Sequence, residues 1–205
     1  MRCRIWFSVF TLTILIAATA CKKNEPSNTS TDTGPVATIT AVDTTPTGGT
    51  VAVGTVALVP ADQAFTMAAG AAMLAEIDFA KTADSGAKDV AVKAFGHLLS
   101  EDMMRLHNEL AEYAPKHGVE LPKVTDTANQ NLNQHLATLT GKNFDETFLK
   151  QVISDHTAMI KLFEDESKVV TDADLRKWVN DTLPVLRSHV QKAEELEKKI
   201  SKQKY

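Results

Sequence analysis

The chain has 205 residues, 43% of them hydrophobic and 23% charged, with 22 Lys plus Arg against 26 Asp plus Glu. A net charge of −4 offers no basic surface for phosphates, which argues against nucleic acid as a partner. The two cysteines, Cys3 and Cys21, are too few for a disulfide framework.

The first element reads as a secretory signal: Met1-Arg2-Cys3-Arg4, then an apolar run from Ile5 to Ala20. That run is about 16 residues long, short of the roughly 20 that a membrane-spanning helix needs. It closes on Ala18-Thr19-Ala20-Cys21, which resembles the bacterial lipobox, where small residues precede a cysteine that is acylated and becomes the new N-terminus. Residues 1–20 are therefore expected to be removed and Cys21 to carry the lipid. Cys3 leaves with the signal, so Cys21 has no disulfide partner, and loss of Arg2 and Arg4 takes the net charge to about −6. Two or three acyl chains hold a protein firmly to a membrane, which makes the membrane its expected partner through the anchor. Lys22, not Asp, follows Cys21, and this resembles lipoproteins passed on to the outer membrane, facing the periplasm or the cell surface.

Residues 21–59 form the expected tether. From Lys22 to Gly49 the chain is rich in Thr, Ser, Pro, Asn and Gly and cannot bury enough apolar surface to offset the entropy of ordering. A flexible segment of that length holds the domain about 30 Å from the lipid. Thr50 to Val59 mixes Val and Ala with Gly, and reads equally as an arm packed on the domain or as an apolar part of the linker.

Residues 60–205 are the size of one ordinary domain with a core of its own. No strand-like alternation of useful length occurs, and apolar residues recur at helical spacing. A first helix is expected from Ala61 or Asp62 to Ala83, carrying Phe65, Ala69, Ala72 and Phe79, with a break at Asp84-Ser85-Gly86. A second runs from Ala87 to Tyr113 with Phe95, Leu99, Leu106 and Leu110 on one stripe; Pro115 and Gly118 end it. A short helix from Thr127 to Leu139 is closed by Gly141. A third long helix covers Phe144 to Val169 with Phe148, Val152, Met159 and Phe163. The fourth covers Asp172 to Ser201 with Leu175, Trp178, Leu186, Ala193, Leu196 and Ile200, and Pro184 inside it predicts a kink or local break. Four long amphipathic helices make an all-α four-helix bundle. Short links make two antiparallel hairpins, and a middle link of about 30 residues, with its own short helix, is long enough to cross the bundle end to end in the ferritin-like manner.

Polar residues interrupt these apolar stripes at heights up to roughly 10 Å apart. Glu76 falls on the first stripe, Asp102 on the second, Asp155 and its neighbour His156 on the third, and His189 on the fourth. At about 1.5 Å per residue all lie in the middle third of a bundle about 40 Å long. Buried carboxylates are costly unless paired or coordinated, so these five residues are the candidate ligands of a divalent cation such as Fe, Mn or Zn; the alternative is a set of ion pairs and hydrogen bonds. His97 with Glu101, and His107, read as surface contacts; His117 and His135, in or near the middle link, read as solvated.

Together these pieces resemble a widespread bacterial ferritin-like family of unknown function, often labelled outer membrane protein. The resemblance covers about Asp62 to Leu196 and rests on the Glu76 helix, on Phe144-Asp145 followed by Val152-Ile153-Ser154-Asp155-His156, and on Leu183-Pro184 followed by His189. The family usually repeats an Asp-His phrase on the second helix; here Met103 follows Asp102, and a thioether is a poor ligand for a hard or borderline cation. Three functions are compatible with this: an anchored bundle that binds a divalent metal, a non-catalytic envelope module that meets a protein partner, and a di-metal oxidoreductase, which the missing imidazole disfavours. No phosphate loop or nucleophile motif is present, and the reading leans away from an enzyme.

Overall fold

A computed structural model describes residues 57–203; the expected signal, Cys21 and nearly all of the tether lie outside the described residues. The elements are α1 (Pro60–Lys81), the single turn α2 (Ala83–Gly86), α3 (Val90–Tyr113), a 3-10 turn (Ala114–His117), α4 (Thr127–Ala137), α5 (Gly141–Val169) and α6 (Ala173–Lys202). The described residues form an all-α, ferritin-like four-helix bundle of α1, α3, α5 and α6, with α4 in the crossover. None of their helices is long and apolar enough to cross a membrane.

Local chemistry explains where the helices begin. Pro60 occupies the first turn of α1, where its missing N–H costs nothing. Aspartates start three others: Asp89 accepts from Ala91 N at 2.7 Å, Asp126 from Asn129 N at 2.9 Å and Asp172 from Leu175 N at 2.8 Å. The expected boundaries shift accordingly. The second long helix starts at Val90 because Asp89 caps it, and Asp84-Ser85-Gly86 is a helical turn rather than a plain break. Gly141, at φ +62°, opens α5 instead of closing α4, which has already ended at Ala137. Pro184 does not interrupt α6, which runs unbroken from 173 to 202.

Two carboxylates fix the topology. Asp145, early in α5, accepts from the main-chain N–H groups of Lys88 and Asp89 at 3.0 Å each, so α5 and α3 start at the same end and run parallel. Asp62, early in α1, accepts from Thr171 N, Thr171 Oγ1 and Asp172 N at 3.1, 2.8 and 3.2 Å, so α1 and α6 start together at the other end. Each hairpin thus caps the second helix of the other. The crossover travels along α1 to connect them: Leu121 lies on Gly70, and Thr125 Oγ1 donates to Asp78 Oδ2 at 2.7 Å.

The core divides into two aromatic clusters. Phe79 stacks on Phe148 at 5.2 Å and Phe148 on Phe144 at 5.8 Å near one end; Phe65, Phe163 and Trp178 pack edge-on or tilted near the other. Gly86 must be glycine, because a Cβ there would stand 2.1 Å from the Phe144 ring. Between the clusters lies the polar layer.

Candidate functional site

The five residues singled out in the sequence come together, as a line across the bundle instead of a ring. His189 Nε2 on α6 lies 3.1 Å from Asp102 Oδ2 on α3. Its other ring nitrogen, Nδ1, lies 3.3 Å from His156 Nε2 on α5. His156 Nδ1 in turn faces Glu76 Oε2 on α1 at 3.7 Å, beyond hydrogen-bond reach. Glu76 neighbours Asp155, whose two oxygens each accept from Gln151 Nε2 at 2.9 Å. Each of the four long helices contributes, α5 with both His156 and Asp155.

Helical spacing decides which links are buried. His156 is fully buried, and His189 and Glu76 are 2% and 4% exposed. Asp102 differs from its expected place on the core stripe: Met103 takes the buried position on that turn, and the Asp102 side chain is 28% exposed, with Oδ1 3.5 Å from Arg105. The line therefore ends at the surface through Asp102, Arg105 and Glu109, whose carboxylate lies 2.9 Å from Arg105.

The other end opens into a cleft of about 250 Å³ lined by Glu76 and Asp155, by Ala72, Ala75 and Ala158, and by Asn129 of α4. Three alanines leave the room, and the carboxylates supply the polarity. Burial, and then the neighbouring Asp155, push the Glu76 carboxyl well above its usual range; burial likewise raises Asp155. Burial and then His189 hold the His156 ring down to about 3, and burial lowers His189. Both rings are consequently neutral near pH 7, each with one donor and one acceptor nitrogen.

Among the described residues, no three His, Cys, Asp or Glu side chains are drawn together as a finished metal shell. What the layer presents is two buried atoms without any hydrogen-bond partner, Glu76 Oε2 and His156 Nδ1, next to Asp155. Burying such atoms unpaired costs about 1–3 kcal/mol each.

The other histidines lie outside this layer. His97 is exposed and pairs with Asp84 at 2.9 Å, not with Glu101. His117 is half-buried and packs at a tilt against Tyr113 with ring centroids 4.3 Å apart, in place of the expected solvated position, and His135 is exposed. His107 is half-buried at the edge of a larger hollow of about 650 Å³, lined mainly by apolar residues such as Leu74, Val119 and Leu121. Sequence reasoning missed Gln151 and Arg105, which hold the carboxylates at the two ends of the line. It also missed the buried acids Asp62 and Asp145, although a repeat advertises them: Asp62-Gln63-Ala64-Phe65 and Asp145-Glu146-Thr147-Phe148.

Fold and site together define a ferritin-like helical bundle with a carboxylate and imidazole line through its core. The chain belongs to the family described as "Domain of unknown function (DUF4142)", whose profile matches residues 49–196. No curated protein matches. Among solved structures the chain is similar to a DUF305 fragment from Deinococcus radiodurans, with a TM-score of 0.62 at 10% identity over 70% of this chain and 99% of that one; this is a likeness of fold alone.

Proposed function

We propose that this protein is an outer-membrane lipoprotein, tethered through an acylated Cys21, whose bundle takes up a divalent cation (Fe, Mn or Zn) at Glu76, Asp155 and His156. One observation carries the cation: Glu76 Oε2 and His156 Nδ1 are buried, unpartnered and 3.7 Å apart, beside a cleft that Asp155 also lines. Glu76 is buried and adjoins the half-buried Asp155, so a bound cation, or else a proton shared between the two carboxylates, offsets their repulsion. Carboxylate and imidazole donors suit these metals. His189 and Asp102 stand behind His156 in the line and act as its outer support instead of as ligands.

The test is elemental analysis of the purified chain after supply of Fe, Mn and Zn, with Asp155→Ala/His156→Ala alongside. Stoichiometric metal that the double substitution removes supports the reading; wild-type protein without bound metal sinks it. Mass spectrometry of the mature N-terminus tests the anchor, and an unmodified cut elsewhere withdraws the lipid and the localisation with it.

A second reading is favoured by the lack of a converged three-residue shell among the described residues. In it the bundle is a non-catalytic envelope module, its core line holds protons only, and an exposed face meets a protein partner. It predicts that the same double substitution lowers stability with no metal effect. A di-metal oxidoreductase has less support, since Met103 stands where a second Asp-His phrase would place its imidazole.

A further inference from the structure

We infer that Asp102 is the positioning residue of this line: through two successive ring contacts it dictates which nitrogen of His156 is left bare toward Glu76 and Asp155. The ring-proton assignment stands on the hydrogen-bond geometry; its consequence for a cation rests on the function proposed above.

An ionised carboxylate only accepts hydrogen bonds, so the His189 nitrogen 3.1 Å from Asp102 Oδ2 must be the one that carries the proton, Nε2. A neutral imidazole has one N–H, which leaves Nδ1 of His189 as an acceptor. His156 Nε2 lies 3.3 Å from that acceptor, and two lone pairs there would repel, so His156 Nε2 donates. Its one proton is then spent, and Nδ1 presents a lone pair to Glu76 Oε2, the residue that in turn lines the cleft. Every ring proton points toward Asp102, and every ring lone pair points toward the carboxylates on the far side.

Arg105 sharpens the role of Asp102. Its guanidinium lies 3.5 Å from Asp102 Oδ1, while Oδ2 faces His189. A guanidinium only donates, so in Asp102→Asn the amide oxygen turns to Arg105 and the amide nitrogen to His189. That reverses the whole line: His189 Nε2 becomes the acceptor, its Nδ1 gains the proton, His156 Nε2 goes bare and His156 Nδ1 carries the proton, facing the carboxylates. No atom of Glu76, Asp155 or His156 has been changed, yet the nitrogen lone pair no longer faces Glu76. The competing arrangement is a His156 Nδ1 proton aimed at the nearby Val152 carbonyl, although Nδ1 makes no hydrogen bond in the structure.

The decisive measurement is long-range 15N–1H correlation of the histidine rings in the full chain at pH 7.5 without metal, with resonances assigned by single histidine replacements. The wild type should show Nε2–H on both His156 and His189. Asp102→Asn should show Nδ1–H on both, and its zinc affinity should fall 10- to 100-fold, the usual effect of disturbing a ligand's outer support. A wild-type proton on His156 Nδ1 overturns the inference, and so does an Asp102→Asn spectrum with His156 unchanged. Should Asp102→Asn fail to fold, the wild-type spectrum alone decides. A wild type that binds none of the three metals defeats the proposed function, whereas the ring spectra decide this inference independently.

Discussion

His156 Nε2 and His189 Nδ1 face each other at 3.3 Å between α5 and α6, two buried neutral rings that satisfy one another. Removing either leaves the other without its partner. We expect His156→Leu or His189→Leu to cost about 1–3 kcal/mol each, the range for orphaning a buried polar group. The double substitution should cost less than the sum, with a coupling energy of about 0.5–3 kcal/mol in a urea double-mutant cycle. Strictly additive losses would show that the rings do not share a hydrogen bond.

Asp145 and Asp62 hold the two hairpins in register by capping each other's second helix, and both are fully buried. Asp145→Ala strands the N–H groups of Lys88 and Asp89, which water reaches only in part, and should destabilise the bundle by about 1–3 kcal/mol. The same loss is expected for Asp62→Ala at the opposite end. By contrast, Lys161→Ala breaks only an exposed pair with Asp165 and should change stability by less than about 0.5 kcal/mol. Equal effects in denaturant titrations of the three variants would contradict this ranking.

Stability should also depend on pH through Glu166, which is 7% exposed at the end of α5. Burial, and then Asp62, hold its carboxyl up at about 7, against 4.5 for an ordinary glutamate. Tyr113 on α3 and Asp172, the cap of α6, lie near Asp62 on its other side. The native state holds the Glu166 proton more tightly than the unfolded chain does. Its contribution is therefore full below about pH 4.5, declines as the pH rises through 7 and is lost above that, a change on the order of 2 kcal/mol. Thermal unfolding at pH 5, 6, 7 and 8 should show the wild type losing stability relative to Glu166→Gln across this window. Parallel curves for the two proteins would refute the assignment.

Helix content, the two hairpins and the end-to-end crossover were all legible in the sequence, because long apolar stripes report which face of a helix is buried. The level of the polar layer was legible for the same reason. The periodicity could not resolve adjacent positions: it placed Asp102 in the core stripe, where the structure buries Met103 one residue later and leaves Asp102 partly exposed. A helix advances about 100° per residue, so a stripe has two credible edges at every turn. Nor could it tell a line from a ring, since height along a helix does not say which ring nitrogen faces which oxygen. Asp62 and Asp145 escaped because a charged residue near the start of a helix ordinarily reads as solvated, and only their shared spacing to Phe65 and Phe148 marks them as buried.

Met103 offers the most direct comparison between this chain and the pattern it resembles, in which an imidazole follows the aspartate on the second helix. The side chain is fully buried and adjoins Asp102, whose carboxylate reaches His189. Met103→His places a neutral imidazole among apolar neighbours, so without metal the variant should be less stable by about 1–3 kcal/mol. A cation in the layer would recruit the added ring, and binding to the native state alone adds RT ln(1 + [L]/Kd) to stability. Thermal melts with and without zinc should therefore show a larger metal-induced rise in Tm for Met103→His than for the wild type. If the two rises are equal, position 103 lies outside the reach of any bound cation, and the methionine serves packing alone.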